Sequence, residues 1–407
     1  MSGIFKGLSV VEGSAFIAAP MAGMSLAQLG AEVIRFDQIG GGIDYKRLPV
    51  SKETGNSLYW AGLNKGKKSI AIDLKQPEAR ELIKSLITQP GEGQGVFLTN
   101  FAGVKWLSYE ALKAQRADVI KVEISGNYDN KTAVDYTVNC AMGFPYATGV
   151  GSKHEPTNHV LPAWDVACSL QASLGVVGAL MHRQKPGLGQ NVKLALSDVA
   201  LSVVGSLGHI AEAQVNGEER PSNGNFVHGA FGRDFVTRDG KRVSAMAISG
   251  KQWQALCAAC DLKDEMAKLE ALMKVDFSID EHRYEARHVI ADFFNRWFKN
   301  HDFVKVKELF DRHGVCWDIY QSFSELVEQD PRCSESNPMF STIDQPGIGE
   351  YLVASSPLRF SELEHETAVP APILGQHTDE ILAEKLGLSS AQIGRLHDRN
   401  IVAGVEC

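Results

Sequence analysis

The sequence lacks a surplus of positive charge. Its 41 lysines and arginines stand against 49 aspartates and glutamates, a formal net charge of -8. Nucleic-acid binding depends on neutralising phosphates with a basic face, so no nucleic-acid partner is expected, and any anionic ligand must be met by a local cluster. Long apolar runs are missing as well. The best one near the start, Phe16 to Gly23, is short and follows Glu12, with no basic stretch before it and no cleavage pattern after it. No segment reads as membrane-spanning, and the expectation is a cytoplasmic protein without a membrane partner. A disulfide framework is also missing: the 7 cysteines form an odd, scattered set that suits free thiols in a reducing compartment.

Several catalytic signatures are absent. The turn Glu12-Gly13-Ser14-Ala15-Phe16 follows a strand-like run but is not the G-x-G-x-x-G that lets backbone approach a pyrophosphate, which disfavours a nicotinamide or flavin dehydrogenase. His154 and His159 are five residues apart with Pro156 between them, so the zinc-protease helix motif does not form. No G-x-S-x-G elbow supports a serine hydrolase. In the single C-x-x-C, Cys257 and Cys260 share a helical face with Trp253 and Leu256, where buried thiols are expected rather than zinc ligands. Zinc would need two further ligands, so no metal site is expected.

What is present is an alternation of strand and helix patterns. At 407 residues, with 44% hydrophobic residues, the chain exceeds the size of one ordinary core, and two domains are expected. Leu8 to Glu12, Glu32 to Phe36, Ser69 to Leu74, Gly95 to Thr99 and Val119 to Ile124 read as strands, with helices at Ala18 to Leu29, Glu78 to Leu86 and near Tyr109 to Ala114. Such alternation implies an α/β fold with a largely parallel sheet. Gly126 to Pro162 reads as irregular. A long helix then runs from about Asp165 to Arg183, through the turn Pro186-Gly187-Leu188-Gly189, into a strand and another helix. Residues 1–215 form the first part of a large domain, 216–326 a linker and a smaller α+β domain, and 327–407 a return to the large domain.

Three groups of residues are candidates for chemistry. Asp165 opens a helix whose next charged residues are His182 and Arg183 at its far end, with small residues from Ala167 to Gly178 allowing close packing. A carboxylate there is favoured by the exposed amides and the helix dipole, and N-capping is the default reading of such an aspartate. Asn64-Lys65-Gly66-Lys67-Lys68 is a basic turn of the kind where lysines meet phosphate, although solvated lysines are the ordinary reading. Arg47 carries a planar fork able to clamp a substrate carboxylate; its ordinary role is a surface ion pair.

Taken together, five stretches resemble the CoA-transferases of family III. These are Gly7 to Glu12 with Ala27 to Asp37, Gly62 to Lys75, Thr99 to Phe101 with Tyr109 to Lys113, Asp165 with Gly178 to Val192, and Ser356 to Phe360 with Leu374 to Leu382. The resemblance implies a Rossmann-like large domain built from both chain ends, a smaller domain, and a homodimer of two chains threaded through one another like linked rings. It makes Asp165 the catalytic nucleophile and an acyl-CoA the substrate, with no cofactor beyond the coenzyme A of that substrate. It places CoA against Phe16, Ile17 and Ala18, against Leu63, Asn64 and Lys67, and against Asn100; Gln38 and Arg47, the latter on the strength of its fork, are further substrate-binding candidates. Oxalate-using members carry a glutamine where Ile17 stands and an arginine near Gln38, which argues against oxalyl transfer. The racemase branch carries a histidine before an aspartate where this chain has Val134-Asp135, which argues against racemisation. Further stretches, among them Gly40 to Arg47, Val134 to Asn139, Asn158 to Asp165 and Gly229 to Phe235, resemble the branch that moves CoA between the two carboxyls of mesaconate, a step of the 3-hydroxypropionate route. The competing readings are an intermolecular transferase using succinyl-CoA and, outside enzymes, a nucleotide-binding regulatory protein on the same sheet.

Overall fold

Five short, almost wholly buried runs of β-branched and aromatic residues make the centre of the larger unit. They are β1 (Ser9–Gly13), β2 (Glu32–Asp37), β3 (Lys68–Ile72), β4 (Val96–Thr99) and β5 (Ile120–Ser125). Burial on both faces is what parallel strands covered by helices require. β6 (Gln190–Ala195) and one strand from later in the chain, described below, complete a sheet of seven; the computed structural model describes residues 3–149, 155–185 and 188–405. His154, Pro186, Gly187 and Cys407 lie outside the described residues.

The chain divides into two compact units. The larger comprises Met1–Met142, His159–Asn216 and Pro331–Cys407, and the smaller Gly143–Asn158 and Gly217–Asp330. The segment 143–158, assigned by sequence to the large domain, therefore belongs with the smaller unit.

Helices of the larger unit are α1 (Ala18–Ala27), α2 (Leu58–Leu63), α3 (Pro77–Ile87), α4 (Tyr109–Lys113) and α5 (Asp135–Ala141). The smaller unit contributes α6 (Phe144–Thr148), after which α7 (Ala163–Arg183), α8 (Leu196–Ser206) and α9 (His209–Asn216) return to the larger one. The strand order is β12-β3-β2-β1-β4-β5-β6, in which β12 (Val402–Ala403) pairs antiparallel with β3 and every other pair is parallel. The order reverses between β1 and β4, the place where open α/β sheets bind their ligands beyond the carboxyl ends of the strands. Pro77 starts α3, whose Ala79, Ile83, Leu86 and Ile87 form one buried stripe against Val11, Ile70, Ile72 and Phe97.

Helix α7 buries Trp164, Cys168, Ala172, Val176 and Ala179, a row at near-helical spacing, and packs on α1, β5 and β6. Ser173 donates to the carbonyl of Ala22 across the contact with α1 (3.3 Å). α7 is also the one helix among the described residues long and apolar enough to cross a membrane by length and composition, where the sequence led us to expect none. One face of α7 meets the sheet and α1, while Leu170, Leu174 and Met181 on the rest of the helix are exposed.

The smaller unit sets the antiparallel strands β7 (Phe231–Val236), β8 (Arg242–Ala247) and β9 (Cys316–Ile319) beside α10 (Gly250–Ala259), α11 (Lys263–Met273), α12 (Asp280–Glu285), α13 (Arg287–Lys299), α14 (Phe303–His313) and α15 (Phe323–Gln329). Its core is aromatic: Phe231, Phe235, Trp253, Phe294, Phe298 and Phe310 are all buried, with Phe235 and Phe298 stacked at 4.7 Å. Cys257 and Cys260 lie in this core, 2% and 1% exposed, and burial pushes the Cys257 thiol up to about 12. The larger unit resumes with the hairpin β10 (Phe340–Gln345) and β11 (Gly349–Ala354), then α16 (Thr378–Glu384) and α17 (Ser390–Asp398).

Candidate active site

The turn after β1 is held from three sides. Asn100, just past β4, accepts from the amide of Ala15 (2.9 Å) and donates to its carbonyl (2.7 Å). Thr99 donates to the carbonyl of Gly13 (2.7 Å). Asp44 accepts from the amide of Phe16 (3.0 Å), which sits at φ 66°, a left-handed conformation uncommon for a residue with a side chain. Phe16 is exposed, Ile17 half-buried, and Ala18 buried where α1 begins.

Beneath this turn lies a buried charge cluster. Glu12, Arg35, Asp37, Asp44 and Lys67 are each 5% exposed or less. Arg35 forks onto Asp37 at 2.8 and 2.9 Å and reaches Asp44 at 3.1 Å. Lys67 donates to Glu12 (2.8 Å), to the carbonyl of Pro20 (2.8 Å) and to Asn64 (2.9 Å). Gly23 makes room for the cluster, since a Cβ there would stand 1.7 Å from a Glu12 oxygen. Burial holds Lys67 down to about 8 despite Glu12 beside it.

These contacts correct two expectations. The lysines of the basic turn are not solvated: Lys65 is 9% exposed and donates to the carbonyl of Gly62 (2.6 Å), and Lys68 pairs with Glu32 (3.0 Å) and Glu380 (2.6 Å). Nor does Lys67 present its ammonium to a phosphate. It is an internal strut with all three donors occupied, and Asn64 is likewise buried, accepting from Arg35 and Lys67 and donating to Trp60. Half-buried Leu63 and Gln38 stay near the surface of the same region.

Asp165 is the third residue of α7, so it does not cap the helix as its default reading held. Pro162 stands at the N-cap without a side-chain cap bond. The capping carboxylate comes from Asp135, which accepts from the amides of Trp164 (2.7 Å) and Asp165 (3.1 Å). Trp164 is anchored a second time through its indole to Asn139 (3.0 Å). The Asp165 side chain is thereby left for chemistry. Burial, reinforced by the negative charge of Asp135, pushes its carboxyl up to about 7. Cys168, one turn further, is pushed up to about 12 by burial and by Asp165.

Tyr59 lies within electrostatic reach of this carboxyl and beside Arg47. Burial pushes its phenol up to about 12, and it feels the charges of Arg47, Asp165 and Asp44 and the neighbouring Tyr136. The Arg47 guanidinium lies over the rings of Phe16 (5.3 Å) and Tyr59 (5.6 Å). Arg47 is exposed and takes part in none of the described ion pairs, which leaves its fork available to a carboxylate. The structure thus gathers Asp165, Arg47 and Phe16 around Tyr59. Asn100 lies behind the turn, with Asn64 and Lys67 beneath it. Tyr59, Tyr136 and Asp135 are the neighbours that the residue reading passed over; the aspartate of Val134-Asp135 was visible only as a position where the racemase histidine is missing.

A carboxylate raised towards neutrality, at the first turn of a helix beside a ligand-binding switch point, is the equipment of an acyl-transferring nucleophile. The chain belongs to CoA-transferase family III, whose family model matches residues 5–378. Over 404 residues it is 51% identical to the 2-methylfumaryl-CoA isomerase of Chloroflexus aurantiacus, covering 99% of each chain. It is 27% identical to the succinyl-CoA:mesaconate CoA-transferase of Haloarcula hispanica, covering 94% of this chain and 96% of that one. In fold it matches a CAIB/BAIF family protein from Brucella suis with a TM-score of 0.77 at 24% identity, covering 95% of this chain and 100% of the other.

Proposed function

We propose that the protein moves coenzyme A between the two carboxyl groups of mesaconate, interconverting 2-methylfumaryl-CoA and 3-methylfumaryl-CoA through a thioester on Asp165. The Asp165 carboxylate attacks the thioester carbonyl, the carbon–sulfur bond breaks, and CoA thiolate leaves a mixed anhydride. The thiolate then attacks the Asp165 acyl carbon and expels mesaconate, which leaves an aspartyl-CoA thioester. The other carboxylate of mesaconate attacks that thioester, and the same two steps run in reverse to return Asp165. No cofactor beyond the substrate's coenzyme A takes part. The raised basicity of Asp165 supports this role, since its ionised form is a stronger nucleophile than an ordinary carboxylate.

The observation that carries the reading is the end-to-end 51% identity to an isomerase of that name, together with an Asp165 free of the helix cap. Arg47 is suited to hold the carboxylate not bound to CoA. The Phe16 to Ala18 turn and half-buried Gln38 and Leu63 are suited to border the CoA arm. Asn64, Lys67 and Asn100 support that turn from below. The 3-hydroxypropionate route of carbon dioxide fixation, a cytoplasmic location and a homodimer belong to the same proposal. Exposed Leu170 and Leu174 on α7 and Leu201 on α8 are the kind of apolar surface that a second copy would cover.

If the acid stays bound, its second attack is effectively unimolecular, an advantage of proximity that an intermolecular enzyme forgoes. Unlabelled mesaconyl-CoA converted in the presence of excess isotopically labelled free mesaconate should give both ester isomers almost without label. Label entering as fast as isomerisation proceeds would leave an intermolecular CoA-transferase instead.

A further inference from the structure

We infer that Asp135 is the positioning residue of the nucleophile, fixing the first turn of α7 through the amides of Trp164 and Asp165 while keeping a buried negative charge beside the Asp165 side chain. The inference rests on the reading of Asp165 as nucleophile.

The geometry is specific. One oxygen of Asp135 accepts both amides, and the other is buried without a hydrogen-bond partner. The residue is 3% exposed, so water does not screen it. A helix start is ordinarily satisfied by a neighbouring serine, threonine, asparagine or aspartate. Here Pro162 supplies no cap, and the acceptor comes from the first residue of α5, itself braced by Thr137, which accepts from the amide of Val134 (3.1 Å). Asn139, one turn along α5, holds the Trp164 indole, so a single short helix grips two successive residues of α7.

A cap alone would not call for a charge with an unsatisfied oxygen, because burying an unpaired carboxylate oxygen is costly. The charge acts on the reaction coordinate. In the resting enzyme, ionised Asp165 and Asp135 repel each other. In the anhydride and in the thioester Asp165 is neutral, and the repulsion is gone. Asp135 therefore raises the resting nucleophile relative to both covalent intermediates.

Few other groups share this environment. Tyr59 faces Asp165 from α2 with Arg47 next to it, Asp44 lies beyond Tyr59, and Tyr136 and Cys168 come from α5 and α7. Helix α8, also packed on α5, carries only the exposed Asp198 as a charged group, and the remaining titratable groups of α7, His182 and Arg183, stand at its far end.

Two variants separate the two roles. Asp135→Asn keeps an acceptor of the same size and removes the charge; Asp135→Ala removes both. Each is compared with the parent in its pH profile of kcat/KM, its kcat and KM, and the fraction of the Trp164 peptide carrying CoA after mixing with mesaconyl-CoA. In Asp135→Asn the acid limb should move to lower pH by roughly one unit, and the CoA-bearing fraction should fall. In Asp135→Ala, kcat should fall further, by roughly a hundredfold, with KM changed less. An Asp135→Asn enzyme with the parent's acid limb and adduct fraction would overturn the charge role. An Asp135→Ala enzyme matching Asp135→Asn in kcat would overturn the positioning role. Should Asp135→Ala not fold, Asp135→Asn alone still decides the charge role, and Asp135→Ser, with a shorter acceptor, replaces it for positioning. A parent enzyme with no CoA on that peptide would instead refute Asp165 as nucleophile, a separate result.

Discussion

The two units keep opposite kinds of interior. Around the first strands of the larger unit, Glu12, Arg35, Asp37, Asp44 and Lys67 are buried together, and in the same unit buried Asp135 accepts from the backbone amide of Asp165. The smaller unit is filled with stacked rings, and its pairs such as Lys307 with Asp311 and Arg238 with Asp302 sit at the surface. Buried Arg283 and Asp234 are exceptions, Arg283 donating to the carbonyl of Phe277 and to Asp280 while lying against Trp253, and Asp234 accepting from Arg233 and Arg242. A buried ion network gains little stability over an apolar core, since desolvation offsets most of its Coulombic attraction. Its presence where the Phe16 turn must be held in an unusual conformation indicates a task of shape rather than of stability.

The largest effect is expected from Asp165→Ala. Turnover should fall roughly a thousandfold or more, measured as isomerisation of mesaconyl-CoA. Stability should move the other way. The folded chain raises the Asp165 carboxyl from about 3.8 to about 7, so its proton contributes stability fully present below about pH 4 and lost as pH rises through 7. Relative to the parent, the variant's melting midpoint should therefore climb between about pH 4 and 7 and level off above. A midpoint difference that stays flat with pH would mean that the carboxyl is not perturbed.

Lys67→Met and Phe294→Ala should each cost about 3–5 kcal/mol in urea unfolding, for different reasons. The first takes away the cation nearest Glu12 in a dry site, where Arg35 remains only at 4.0 Å, and the second opens a cavity among rings. Only Lys67→Met should also lower kcat/KM of the folded protein, because Glu12 and Asn64 lie under the Phe16 turn proposed to border the CoA arm. Equal loss of activity in both would erase the distinction between the two interiors.

A smaller effect is the acid limb of the parent itself. Nucleophilic attack needs the ionised Asp165, so kcat/KM should fall about tenfold per pH unit below a midpoint near 7. A midpoint near 4 would place Asp165 in ordinary solvent. Smallest of all, exchanging Lys307 and Asp311 for alanine should leave the urea midpoint where it was, since exposed pairs contribute little.

Much of the larger unit was legible in advance because parallel strands and amphipathic helices write their periods into the residues. The βαβ start and the helices at 78–86, 109–114 and 165–183 appear with boundaries within a few residues. Helices α5 and α6 escaped, lying in a stretch punctuated by Gly126, Gly143 and Pro145 that reads as irregular. Asp135 escaped with them, since its partners are 29 and 30 residues away. Asp165 itself is indistinguishable from a helix cap until the fold shows another carboxylate doing that work. The Lys65-Gly66-Lys67-Lys68 turn misled for a related reason: a lysine's burial is decided by Glu12, 55 residues distant, and by nothing adjacent to it. Strand β12 has only two residues and no period to read.

That short strand has a consequence for synthesis. Val402 and Ala403 complete the rim of β3 opposite Ile72 and Ala71, and they leave the ribosome after every other strand of the sheet. Until then the growing chain carries Ser-Ile-Ala-Ile with one row of amides and carbonyls uncovered, next to neighbouring copies on the same messenger. The contiguous stretch from Gly217 to Asp330 emerges earlier. The edge of β3 thus stays open for most of the synthesis of the sheet, and slowing the ribosome just before Val402 would lengthen that exposure.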